Sequence, residues 1–148
     1  MRRLVAVCLL ALVSSGCDLA KIYEDATTST QLGVIQMAAS SVDNGIVAPD
    51  TVTHDVAFSV TVTTYGNLCL RGADHTEVAY VASDTAVVRP FDDVTSGPCN
   101  GDALRVVPHT AAVTFSRVGS AVVRFEGMRN APDGSLVPAS VERTVIVR

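Results

Sequence analysis

Three histidines, His54, His75 and His109, are the side chains of this chain best suited to proton transfer or metal ligation. None lies within four residues of another, so the spacing of a helical zinc site is absent. The sequence contains no Cys-x-x-Cys pair, no Gly-x-Ser-x-Gly elbow and no Walker loop. Asp74-His75 places an orienting carboxylate beside a base, but the same two residues read more simply as a polar turn after Arg71-Gly72. Asp92, Asp93 and Asp102, with Asn100, crowd around Cys99 in the run PFDDVTSGPCNGD. A hard cation such as calcium takes about six to eight oxygen ligands, often from such loops. The spacing does not match an EF-hand, and a solvated loop accounts for the same residues. These three carboxylates are therefore a candidate calcium loop, with no metal or cofactor assigned. Arg117, Arg124, Arg143 and Arg148 fall on or beside the last apolar runs. They form either a basic stripe for an anionic partner or charges that guard exposed strands against aggregation.

The elements that must position these groups are strands. The chain has 148 residues, one domain's worth, and is 48% hydrophobic, 18% charged and 5% aromatic. That balance excludes a disordered chain. A net charge of −4 excludes a strongly basic nucleic-acid binder. From residue 17 onward there are 22 Val and 14 Thr against 6 Leu, 4 Glu and 1 Lys. β-branched side chains suit a pleated sheet, whereas a helical domain would be rich in Leu, Glu and Lys. Between Val52 and Val62 apolar residues fall at Val52, Val56, Phe58, Val60 and Val62, which predicts one long strand. Further strands are expected at Asn67–Leu70, Glu77–Val81, Thr85–Arg89, Leu104–Val107, Ala111–Arg117, Ala121–Glu126 and Val141–Val147. Residues 33–39 fit either a strand or a helix. Tyr65-Gly66-Asn67, Ser96-Gly97-Pro98, Asn100-Gly101-Asp102, Val118-Gly119-Ser120 and Pro132-Asp133-Gly134 carry turn chemistry. Short strands punctuated in this way predict a β-sandwich or barrel.

The N-terminus reads as an address. Arg2-Arg3, an apolar run of ten residues from Leu4 to Val13, and the small residues Ser14-Ser15-Gly16 follow the order of a secretory signal peptide. The run is shorter than the roughly 20 residues that span a bilayer. Cys17 follows at once, and residues 1–18 resemble a bacterial lipoprotein precursor, with Ser14 where that family usually has Leu. The resemblance implies fatty acylation, such as palmitoylation, of Cys17 and cleavage before it. Ordinary cleavage after Ser15 or Gly16 is the alternative. In enteric members of the family Asp after the acylated Cys favours the inner membrane, and Asp18 stands there. Removing 16 residues leaves 132 and, with Arg2 and Arg3 gone, a formal charge of −6.

Of the four cysteines, Cys8 leaves with the signal peptide and acylation consumes Cys17. Cys69 and Cys99 are then expected to pair in an oxidising compartment, the alternative being two free buried thiols. Closing that loop would stabilise the fold by roughly 3 to 4 kcal/mol. Residues 17–30 are expected to be the lipidated Cys and a polar tether, or a short first helix.

The C-terminal third, with Gly119-Ser120-Ala121-Val122-Val123, Gly127 and the closing Thr144-Val145-Ile146-Val147, resembles the last strands of bacterial immunoglobulin-like domains. The expectation is thus all-β: a signal peptide at 1–16, a tether at 17–30, and a small immunoglobulin-like antiparallel β-sandwich at 31–148. The hallmark Trp of antibody domains is absent, and the Cys pair is closer in sequence than their cross-sheet bond. A staple of a loop or of neighbouring strands is expected instead. The function expected is a membrane-anchored, non-catalytic binding or assembly module of the cell envelope, with the membrane and an envelope protein as its expected partners and no nucleic acid. The alternatives are an envelope hydrolase, which would need a pocket gathering His and carboxylates, and a purely structural lipoprotein.

Overall fold

The computed structural model describes residues 27–37, 45–96, 99 and 103–148. The expected signal peptide, Cys17 and the tether up to residue 26 lie outside the described residues, as do Asn100 and Asp102. Every regular element among the described residues is a strand, and the strands pack as two sheets. The chain is therefore all-β and sandwich-like.

The larger sheet contains β1 (Thr28–Leu32), β2 (Val34–Gln36), β4 (Thr51–Val52), β6 (Leu70–Ala82), β7 (Thr85–Thr95), β9 (Gly119–Asn130) and β10 (Leu136–Val147). The smaller sheet contains β3 (Ile46–Val47), β5 (Phe58–Gly66) and β8 (Arg105–Val113). Most pairs run antiparallel, including β9 with β10, where Gly119 opposes Val147. Three pairs run parallel instead: β7 with β9, β2 with β9, and β4 with β10. The β7–β9 pair has a direct cause: the chain between these strands crosses to the smaller sheet as β8, so β9 re-enters in the direction of β7.

One edge of β7 is covered along its length by β6. Its other edge is divided. Thr85–Val88 pair with Val122–Phe125 of β9, whereas Phe91–Thr95 pair with Leu32–Thr28 of β1. The two strands thus separate like a fork, and the N-terminal strand fills the gap. Gly33 is the crossing point. Its N–H donates to Pro90 O at 2.9 Å, and its carbonyl accepts from Met128 N–H at 2.9 Å. Beyond it β2 continues along β9. Such close approach needs a residue without Cβ. A Cβ on Gly33 would overlap Thr64 Cγ2, and one on Gly127 would come within 2.7 Å of the Gly33 carbonyl.

Below the fork the sheets enclose an apolar core of Val60, Val88, Val113, Phe115, Val123, Phe125 and Val145, each at most 1% exposed. Alternation along β9 explains it, since Ala121, Val123, Phe125 and Gly127 are buried while the residues between them are half-exposed. Phe115 lies just past β8 and meets Phe58 with ring centroids 5.9 Å apart.

Several expected boundaries change. The single strand from Val52 to Val62 is two strands, β4 and β5, with a turn between them. Asp55 takes φ 57°, a left-handed conformation that Asp tolerates. The turn is fixed by His54 N–H donating to Arg148 O and Asp55 N–H donating to Phe115 O. The ambiguous segment at 33–39 contains a strand, β2. Asn67–Leu70 and Glu77–Val81 merge into the long β6, and β8 joins Leu104–Val107 to the start of the next expected strand. Thr28–Thr30, assigned to the tether, belong to β1, because their backbones pair with Asp93–Thr95.

Candidate functional site

The two sheets are joined at the open end of the fork by polar side chains. Period-two alternation turns Asp92 of β7 and Thr64 and His109 of the smaller sheet toward the interior, at 3%, 0% and 2% exposure. His109 Nε2 lies 2.7 Å from Asp92 Oδ1, and Thr64 Oγ1 donates to the same oxygen at 2.9 Å. Thr64 Oγ1 is also 3.2 Å from His109 Nε2. On the other side of the imidazole, Nδ1 is 3.5 Å from Thr76 Oγ1 of β6. The acceptors on Nε2 indicate that it carries a proton. A buried pair of this kind requires such satisfaction, since an unpaired buried charge is costly.

Asp92 also lines a groove of about 630 Å³. Its walls come from the β1–β2 crossing (Leu32, Val34), the end of β5 (Tyr65), Leu70 of β6, Val94 of β7, and Leu104. The disulfide borders it through Cys99. Cys69 and Cys99 are bonded with Cα atoms 5.3 Å apart, tying the start of β6 to the chain just past β7. The bond is thus a staple between neighbouring strands. It is reinforced by Thr95 N–H donating to Cys69 O at 3.0 Å.

Chemically the cluster is an acid, a base and two hydroxyls, but its wiring is not that of a nucleophilic triad. In a triad the base takes the nucleophile on one nitrogen and the acid on the other. Here Thr64 and Asp92 share Nε2, and Thr64 is sealed. Thr76 stands on the correct nitrogen at 3.5 Å, the outer limit for a hydrogen bond. It does not line the groove.

The structure separates the other residues singled out by the sequence. Asp93 follows Asp92 on β7, so the two side chains point to opposite faces and do not converge on one cation. The run around Cys99 is a strand as far as Thr95, not a loop. Asp102, the third carboxylate of the calcium reading, lies outside the described residues. Among the described residues no three His, Cys, Asp or Glu side chains gather as a metal site.

Asp74-His75 is a contact at 2.7 Å on exposed β6 rather than a turn, with His75 stacked on Phe91 at 4.6 Å. The hydrogen bond with His75, and a second from Thr30, hold the Asp74 carboxyl below its ordinary range. His54 sits in the β4–β5 turn, so the three histidines occupy three separate settings. Three of the four arginines singled out by the sequence have partners, and Arg148 contributes its backbone carbonyl to His54. Arg124 pairs with Glu142 at 2.8 Å, Arg117 donates to Ser83 at 3.1 Å, and Arg143 donates to Glu142 O at 3.2 Å. Arg89, not singled out in the sequence, pairs with Glu126 at 2.7 Å. Arg124 and Arg89 are thus each set against a carboxylate on this part of the sheet.

The pairing of Asp92 with His109 escapes a reading by motif because the two residues come from different sheets. A signal was nevertheless present. Each is a polar residue in an otherwise apolar inward register, Ala86-Val88-Pro90-Asp92 and His109-Ala111-Val113. The chain matches no family model, no curated protein and no solved structure.

Proposed function

We propose that the protein is a lipid-anchored, non-catalytic binding or assembly module of the bacterial cell envelope. The observation that carries this reading is the order Arg2-Arg3, apolar Leu4–Val13, Ser15-Gly16, Cys17. A single acyl chain holds a protein only marginally, and two or more hold it stably. The disulfide is consistent with an exported domain. The groove gives such a module a concave surface built from both sheets, and its volume falls in the range of about 300–1,000 Å³ that small-molecule sites occupy. The non-catalytic part of the reading is supported by the wiring at His109, where the sealed Thr64 and the remote Thr76 offer no nucleophile to the groove.

The test is metabolic labelling of producing cells with an alkyne-tagged fatty acid. Label on the mature chain, lost in Cys17→Ala together with membrane retention, is the expected result. A Cys17→Ala chain that keeps both label and membrane retention overturns the anchoring. Cross-linking in intact cells should recover a defined partner, and repeated failure would favour a purely structural lipoprotein.

A further inference from the structure

Within the Asp92 carboxylate the two oxygens differ. Oδ1 takes the bonds from His109 and Thr64, and Oδ2 takes none from the described residues. Among the described residues no sealed side-chain oxygen or nitrogen lacks a partner, so Oδ2 is not sealed; it opens on the groove that Asp92 lines. The side chain as a whole is only 4% exposed. A carboxylate oxygen can only accept unless it is protonated, so whatever satisfies Oδ2 must donate.

The rest of the lining narrows the donor. Among the described residues no Lys, Arg or His lines the groove, and Asp92 is the single acidic one. Around it stand neutral amides, such as Asn67 and Asn130, and apolar walls from Leu32, Val34, Leu70 and Leu104. An anionic ligand would set a second negative charge against the Asp92 carboxylate. A purely apolar ligand would cover Oδ2 and leave it unsatisfied. An ammonium group gains a charge-assisted hydrogen bond there while its carbon body displaces water from the walls.

We propose that this groove is a binding site for a small primary amine carried on an apolar body, with the ammonium on Asp92 Oδ2. His109 and Thr64 act as positioning residues. By occupying Oδ1 they fix the carboxylate plane and direct Oδ2 outward. This inference rests on the binding-module reading and gives it a ligand class.

The probes are n-hexylamine, 1-hexanol and hexanoate, matched in carbon body and different in head group. Each is titrated into the protein as isolated from its membrane and followed through the NMR signals of Gly33, Asn67 and Leu104. Hexylamine should shift these signals at concentrations at least tenfold below those hexanol requires, and hexanoate should leave them unmoved. Asp92→Asn keeps an oxygen for His109 but removes the charge, and should bring hexylamine down to the level of hexanol. Leu104, 53% exposed in the groove wall, offers a variant that spares the buried cluster. Leu104→Trp should weaken hexylamine binding at least tenfold even where Asp92→Asn fails to fold.

Equal response to hexylamine and hexanol, tighter binding of hexanoate, silence of all three probes, or hexylamine shifts that survive Leu104→Trp would each overturn the proposal. None of these outcomes alters the acyl label at Cys17 or the recovery of a cross-linked partner, so the two failures are distinguishable.

Discussion

The two ends of the sandwich are held by different physics. Below the fork, β7 and β9 pair directly, and Val88, Val123, Phe125 and Phe115 fill the space between the sheets with carbon alone. Above it the strands part, β1 and β2 enter, and the sheets meet through Asp92, His109 and Thr64. Apolar packing is non-directional and tolerates volume-conserving change. Polar contacts at this depth have directional partners and are costly when one partner is lost. The lower end therefore supplies stability. The upper end uses stability to hold a carboxylate in one orientation beside an open groove.

The largest effect should come from the lower end. Phe125 is 0% exposed. Phe125→Ala should cost about 3 to 5 kcal/mol in urea unfolding. A loss under about 1 kcal/mol would mean that this end is not the packed core. At the upper end, His109→Leu leaves Asp92 buried without its base and should cost about 3 to 4 kcal/mol. Replacing both partners with apolar residues should recover much of that loss, because the unpaired charge goes with them. If single and double variants lose equally, the cluster is not a coupled pair and the contrast between the ends fails. Gly33→Ala sharpens the contrast at the crossing itself. Its new Cβ would overlap Thr64 Cγ2 and sit 2.8 Å from Asp92 Oδ2, so a loss of about 1 to 3 kcal/mol is expected. Asn67 and Leu104 signals should shift in the same variant, whereas those of Val145 should not. The smallest effect belongs to neither end. Arg124 and Glu142 are 38% and 53% exposed, and Arg124→Ala should cost less than about 1 kcal/mol, diminishing with salt.

The lower end was the more legible in the sequence. Inward and outward residues alternate from Ala121 to Gly127 in β9 and throughout β10, and Val and Thr content set the fold class, because each residue there reports on its own face of the sheet. Legibility failed where long-range backbone partners decide the outcome. The alternating pattern from Val52 to Val62 is broken at His54 alone, and there the chain turns, with His54 and Asp55 N–H donating to the carbonyls of Arg148 and Phe115. The fork is equally invisible. A split edge of β7 leaves no local mark beyond Gly33, and a lone glycine has many uses. Asp92 stands out in the sequence through its neighbours, Asp93 and the residues around Cys99. Its structural partners, His109 and Thr64, lie on strands of the other sheet.

The strand that fills the fork also sets an order of events in time. Thr28 pairs with Thr95, and Val34 pairs with Met128. The slot they enter exists only once β7 and β9 are side by side. β1 and β2 are synthesised before both of their partners, so they must wait unpaired until β9 has appeared. Docking of β1 and β2 would then close the fold, and with it form the wall of the groove to which Leu32 and Val34 contribute. The groove is thus complete only in a finished molecule.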